Sequence, residues 1–209
     1  MIHIVIRTCE RDDYLAALCY ESFKSAGIEA NYSFLAEPGN YKYISNTEIP
    51  INSKSFCDNY GGQFGAKSLV KEFQQYTVDE DDFFIFSDSD IVVLKDFTND
   101  IKDFDHSGIM CHDVSKLKHI SGQMQIFSWF VFNKIKSLTD GQIDEIIQQM
   151  NSRNISIADD TFVSFLTDTL NLKKQNVSGR WYHNKFYQYA DSKMTIQEVL
   201  HFLKYEFKP

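Results

Sequence analysis

Asp88 and Asp90 are the residues of this chain most ready for chemistry. They close the run Asp82-Phe83-Phe84-Ile85-Phe86-Ser87-Asp88-Ser89-Asp90-Ile91-Val92-Val93-Leu94, an apolar β-type stretch that breaks into two carboxylates one residue apart. A strand so rich in Phe and Ile belongs inside a sheet covered on both faces. Ionised carboxylates at its end are costly unless water, a cation or a hydrogen-bond donor meets them. In an extended chain, residues i and i+2 point to the same side, roughly 6.5–7 Å apart at ~3.3 Å per residue. Asp88 and Asp90 are therefore expected to face one hard cation, Mn2+ or Mg2+, together. Such a cation keeps open positions that can hold the oxygens of a diphosphate. A turn or a helix cap is the plainer reading of a bare Asp-x-Asp; the buried run before this one weighs against it.

The elements that must position these acids follow from periodicity. Ile2–Ile6 reads as a strand, and Arg7–Asp13 as a polar loop. Asp12 is placed to cap a helix running to about Ala26, with Gly27 closing it. Tyr32–Leu35 reads as a second strand. Pro38-Gly39 and Asn40 mark an irregular stretch over 36–59. Gly61-Gly62 opens a helix to about Tyr76, and the strand Phe83–Ser87 leads into the two aspartates. This β-α-β-α-β order predicts a mostly parallel sheet, with ligands beyond the C-terminal strand ends. Further on, Gly108–Cys111 and Ile126–Phe132 read as strands. Gly141–Met150 reads as an amphipathic helix, and Ala158-Asp159-Asp160 begins another. A single α/β domain over 1–209 is expected. Residues 1–95 carry the regular alternation, and 96–209 are more mixed.

Composition narrows the function classes. The 209 residues suit one domain with a sizeable core. A net charge of −8 disfavours nonspecific binding to nucleic acid or anionic membrane. No run reaches 18 apolar residues, so no transmembrane helix is expected, and the N-terminus lacks a secretory pattern. Four cysteines without metal spacing fit a reduced, cytoplasmic protein.

The segment Phe86-Ser87-Asp88-Ser89-Asp90-Ile91-Val92-Val93-Leu94-Lys95-Asp96-Phe97 resembles the Asp-x-Asp (DXD) segment of GT-A glycosyltransferases, and the order of features is most similar to the glycogenin-like and lipopolysaccharide-galactosyltransferase group. The resemblance implies a nucleoside-diphosphate sugar as donor, most often a UDP-sugar. Asp88 and Asp90 would then hold the metal, with Asp88 close to the diphosphate. It assigns Thr8 and Arg11, in the first strand-to-helix loop, to the nucleotide, and Lys67, on the helix before the acids, to sugar or phosphate. Ser128 and Trp129 would line the acceptor side. Asp159 or Asp160 would orient or deprotonate the acceptor hydroxyl, with Asp160 favoured. The C-terminal segment supplies His201 as third metal ligand, with His183 as competitor, and Lys208 as a diphosphate contact. The implied stereochemistry is retention.

Asp88, Asp90 and Val92 also satisfy the signature of haloacid-dehalogenase-like phosphatases, in which Asp88 would be the nucleophile. A non-catalytic sugar-nucleotide binder is a third reading. For a transferase, the acceptor is a surface glycan, a protein side chain or, as in some phage enzymes, a hydroxymethylated DNA base.

Overall fold

The computed structural model describes residues 1–53, 62–112, 117–177, 179–183, 195–202 and 205. Its centre is a seven-stranded sheet in the order β3-β2-β1-β4-β7-β6-β8. The strands are β1 (Ile2–Thr8), β2 (Asn31–Ala36), β3 (Ile51–Ser53), β4 (Phe83–Asp88), β6 (His106–His112), β7 (Lys118–Ser128) and β8 (Lys174–Asn176). β1, β2, β3 and β4 are parallel. β7 is antiparallel to β4 and β6, and β8 runs with β6, so β7 alone opposes the rest. Strands from both sides of residue 95 thus share one sheet. A two-stranded ladder joins β5 (Ile91–Val93) to β9 (Trp181–His183).

The alternation of side chains along the strands builds two cores, as a sheet covered on both faces requires. On one face Val5, Phe84, Phe86 and Phe127 pack under α2 (Gly62–Phe73), α4 (Trp129–Lys136), α5 (Asp140–Ser152) and α6 (Asp159–Thr169). Phe73 is the hub there. Its ring lies 5.0–5.4 Å from those of Phe84, Phe86, Phe127 and Phe132. On the other face Ile4, Ile6, Ile85 and Ile126 meet α1 (Asp13–Ser25), with Phe97 just before α3 (Thr98–Ile101). α7 (Ile196–His201) packs on α1 through Val199 and Leu200, against Leu15 and Leu18. Among the described residues no helix is long and apolar enough to cross a membrane.

Three local expectations are corrected. The apolar run Ile126–Phe132 is not one strand. β7 stops at Ser128, whose side chain caps α4 by accepting from the Val131 N–H, so Trp129–Phe132 is helical. Asp12 occupies the cap position of α1 but makes no capping bond; its carboxylate takes the Arg11 guanidinium instead, at 2.9 and 3.0 Å. The next residue, Asp13, is buried and accepts three successive backbone N–H groups, from Lys42, Tyr43 and Ile44, at 2.6–2.9 Å. It ties the loop after β2 to the start of α1. Lastly, β1 continues to Thr8, so Arg7 is a strand residue rather than the start of a loop.

Candidate active site

β4 delivers Asp88 to the C-terminal edge of the parallel strands. Ser89 and Asp90 then form a turn into β5, so the two acids are set by a turn and not by one extended strand. The turn is braced from beneath. The Asp88 carbonyl accepts from the hydroxyl of Ser87 at 3.0 Å and faces the Cys19 thiol at 3.7 Å, while Val93 donates its N–H to Ser22 of α1 at 2.9 Å. Asp90 is 7% exposed, whereas the Asp88 side chain keeps 37% of its surface open.

The register of the sheet sets Arg7 of β1 beside Asp88 of β4. Arg7 is buried, with its guanidinium carbon 4.6 Å above the Phe86 ring. Its Nη2 lies 2.6 Å from Asp88 Oδ1 and donates to the Gly122 carbonyl at 2.9 Å. Its Nη1 reaches Asp159 Oδ2 at 3.1 Å. Asp159 and Asp160 open α6, and the Gly122 N–H donates to Asp160 Oδ2 at 3.1 Å. The Nε2 of His119 stands 3.7 Å from the same oxygen. A Cβ on Gly122 would stand in ordinary contact with Asp159 Oδ1 and the Asp160 Cβ, at 3.4 Å, so β7 runs close against the start of α6 here.

These carboxylates crowd each other. Burial, together with the charges of Asp90 and Asp159, pushes the Asp88 carboxyl up to about 6, although Arg7 pulls the other way. Burial and Asp159 raise Asp160 too, opposed by His119 and the Gly122 and Thr161 N–H groups. Hard carboxylate oxygens in excess of the local positive charge suit Mg2+ or Mn2+. Yet among the described residues no group of three or more His, Cys, Asp or Glu converges as a metal site. The chain itself offers Asp88 and Asp90. On the same sheet edge, a cavity of ≈500 Å³ lies beyond β2 and β3, lined by Glu37, Pro38, Gly39, Tyr41, Ser45 and Asn52 among others.

Solved structures share this arrangement of strands and helices. The galactosyltransferase LgtC, in complex with donor and acceptor sugar analogs, matches with a TM-score of 0.54 at 11% identity, over 95% of this chain and 82% of LgtC. The glycosyltransferase GlyE of Streptococcus pneumoniae TIGR4 matches with a TM-score of 0.54 at 9% identity, over 84% of this chain and 45% of GlyE. The chain has the GT-A glycosyltransferase fold. No protein-family model and no curated protein sequence matches it.

Within this GT-A sheet the residues singled out from sequence fall into three groups. Asp88, Asp90, Asp159 and Asp160 gather on the Arg7 side of the C-terminal edge, and Thr8 ends β1 at that same edge with its hydroxyl donating to the Cys9 carbonyl at 3.2 Å. A second group points elsewhere. Arg11 is 80% exposed and paired with Asp12. Lys67 reaches across to Asp144 of α5 at 2.8 Å. Ser128 pairs with Phe83 at the opposite end of β4, five residues or about 17 Å from Asp88. With Trp129 it lines a separate cavity of ≈540 Å³, so these two are not brought to Asp159 and Asp160. Because β7 is antiparallel, its end lies where β4 begins.

The third group is terminal. His201 is exposed on α7, its ring 5.0 Å from that of Tyr205. The His183 backbone pairs with Ile91, the neighbour of Asp90. Lys208 lies outside the described residues. Sequence reading missed Arg7, His119 and Gly122. For Arg7 the sequence shows only a lone cation after an apolar strand; its place beside Asp88 is set by the register of the folded sheet.

Proposed function

We propose that this protein is a metal-assisted glycosyltransferase that moves a sugar from a nucleoside-diphosphate sugar, a UDP-sugar first, to an acceptor hydroxyl. The observation that carries this reading is the pairing of two acid sets at the sheet edge of a GT-A fold: Asp88 with Asp90 on one side, Asp159 with Asp160 on the other, joined through Arg7. Asp88 and Asp90 would hold Mn2+ or Mg2+, and that ion supplies stabilisation of the negative charge that develops on the departing diphosphate. The cavity of ≈500 Å³ beyond β2 and β3 offers Tyr41 and backbone groups to the nucleoside. Asp160 takes the proton of the acceptor hydroxyl; its raised proton affinity suits that role. Asp159, fixed by Arg7, orients the sugar.

LgtC was solved with donor and acceptor sugar analogs, which supports a saccharide acceptor here as well. A glycan hydroxyl in the cytoplasm is the acceptor we favour. The net charge of −8 speaks against a DNA base. The GT-A fold argues against the phosphatase reading, and turnover separates an enzyme from a sugar-nucleotide binder.

The test is donor hydrolysis. The protein is incubated with UDP-, GDP-, CMP- and dTDP-sugars, with and without Mn2+, and released nucleotide is measured. Mn2+-dependent release from one donor, lost in Asp90→Asn, supports transfer and names the sugar. Hydrolysis of a simple phosphate ester with no nucleotide-sugar turnover sinks it.

A further inference from the structure

We infer that Arg7 is a built-in counter-ion to Asp88, one that keeps a divalent cation from binding tightly until a diphosphate brings further oxygens. The inference rests on the reading of Asp88 and Asp90 as cation ligands. Arg7 is held in a way no surface arginine is. It sits in β1 level with Asp88 on the adjoining strand, so the pairing is set by sheet register. Its guanidinium is fixed from four sides: Asp88 at 2.6 Å, Asp159 at 3.1 Å, the Gly122 carbonyl at 2.9 Å and the Phe86 ring at 4.6 Å. Such a planar fork held by two carboxylates is a fixed positive charge, always ionised.

That charge competes with a metal ion for the same carboxylate. One oxygen of Asp88 is taken by Arg7, and a dication approaching the other meets a guanidinium already in place. Among the described residues no third metal-ligating side chain joins the two aspartates. Mn2+ and Mg2+ ask for about six oxygen ligands, so Asp88 and Asp90 by themselves leave positions that water or a diphosphate can fill. A diphosphate supplies both oxygens and negative charge, and offsets the repulsion from Arg7. Arg7 thereby couples cation capture to donor capture, and that coupling must be reciprocal. Arg7 is a positioning residue here; it acts through Asp88.

The experiment reads Mn2+ directly, by the paramagnetic resonance signal of the free ion, with UDP absent or saturating. Wild type, Arg7→Met, Asp159→Asn and the double variant Arg7→Met/Asp159→Asn are compared; the last two differ in Arg7 alone, with no buried acid left stranded. Circular dichroism checks that each is folded. Relative to Asp159→Asn, the double variant should bind Mn2+ without UDP at least about tenfold more tightly, and the enhancement by UDP should shrink by a similar factor. Arg7→Lys keeps a cation without the fork and should fall between. Equal affinities in Asp159→Asn and the double variant, within about twofold, overturn the inference. So does failure of Mn2+ to bind any of them with UDP present; in that case metal-free donor hydrolysis would leave glycosyl transfer standing while this inference falls.

Discussion

Arg7 and Asp159 are 152 residues apart in sequence and 3.1 Å apart in space, both buried. Their contact fastens α6 to the edge of β1 and joins the two acid sets of the site. Breaking a buried pair by removing one partner leaves an uncompensated charge, which typically costs about 3–5 kcal/mol. Arg7→Met strands Asp159 and should approach that range in urea unfolding. Asp159→Asn should cost less, because Arg7 keeps Asp88 and the Gly122 carbonyl. Equal losses would mean that the contact is incidental.

Asp90→Asn tests the chemistry separately from the fold. The side chain is buried in a turn braced by α1, and an amide fits the same space. Donor turnover should fall by about 100-fold or more, as expected when a charge-stabilising group is lost. The melting temperature should change little. A variant of full activity would remove Asp90 from the metal site.

His106 predicts how stability depends on pH. Burial pulls its imidazole down to about 3; Gln125 bonds to it at 3.0 Å and favours the charged form, while Lys174 disfavours it. The ring stacks on Phe127 at 5.0 Å. The unfolded chain therefore binds a proton near pH 6.5 that the folded chain refuses. This contribution to stability is complete above the unfolded value and is lost as pH falls from 6.5 towards 3, at up to about 1.4 kcal/mol per pH unit. Urea midpoints at pH 7.5 and 5.5 should differ in wild type by more than in His106→Gln. The same difference in both proteins would assign the effect to other groups.

Lys67 and Trp129 serve as controls. Lys67 is engaged with Asp144, and Trp129 stands at the far end of β4. Lys67→Ala and Trp129→Phe should leave the donor KM within about twofold, the range of exposed pairs and conservative changes outside a site. A tenfold rise for either would return it to the site.

Much of this was legible because local pattern and tertiary role agree. The run Phe83–Asp88 is buried on both faces, so its composition announced both a central strand and the position of its acids. The first 95 residues alternate in type, and parallel order followed. Legibility failed where one residue's partner decides the outcome. Ile126–Phe132 is uniformly apolar, and only the Ser128 side chain bonding to Val131 converts its second half to helix. Lys67 has the spacing of a phosphate contact, but Asp144 of α5 claims it. Arg7 reads as loop because a charge normally ends a buried strand; its partners lie 81 and 152 residues onward, beyond any local window.

Asp13 carries a consequence for the donor. Three consecutive backbone N–H groups pointing at one spot form a concave anion receptor, the kind of nest that cradles phosphate in many nucleotide sites. At Lys42-Tyr43-Ile44 the receptor is already filled by the chain's own Asp13 carboxylate. A diphosphate arriving beside β2 would find those three amides already taken. Under the proposed function its charge would have to be met by groups other than these, while the Asp13 carboxylate from α1 holds the loop in place beside it.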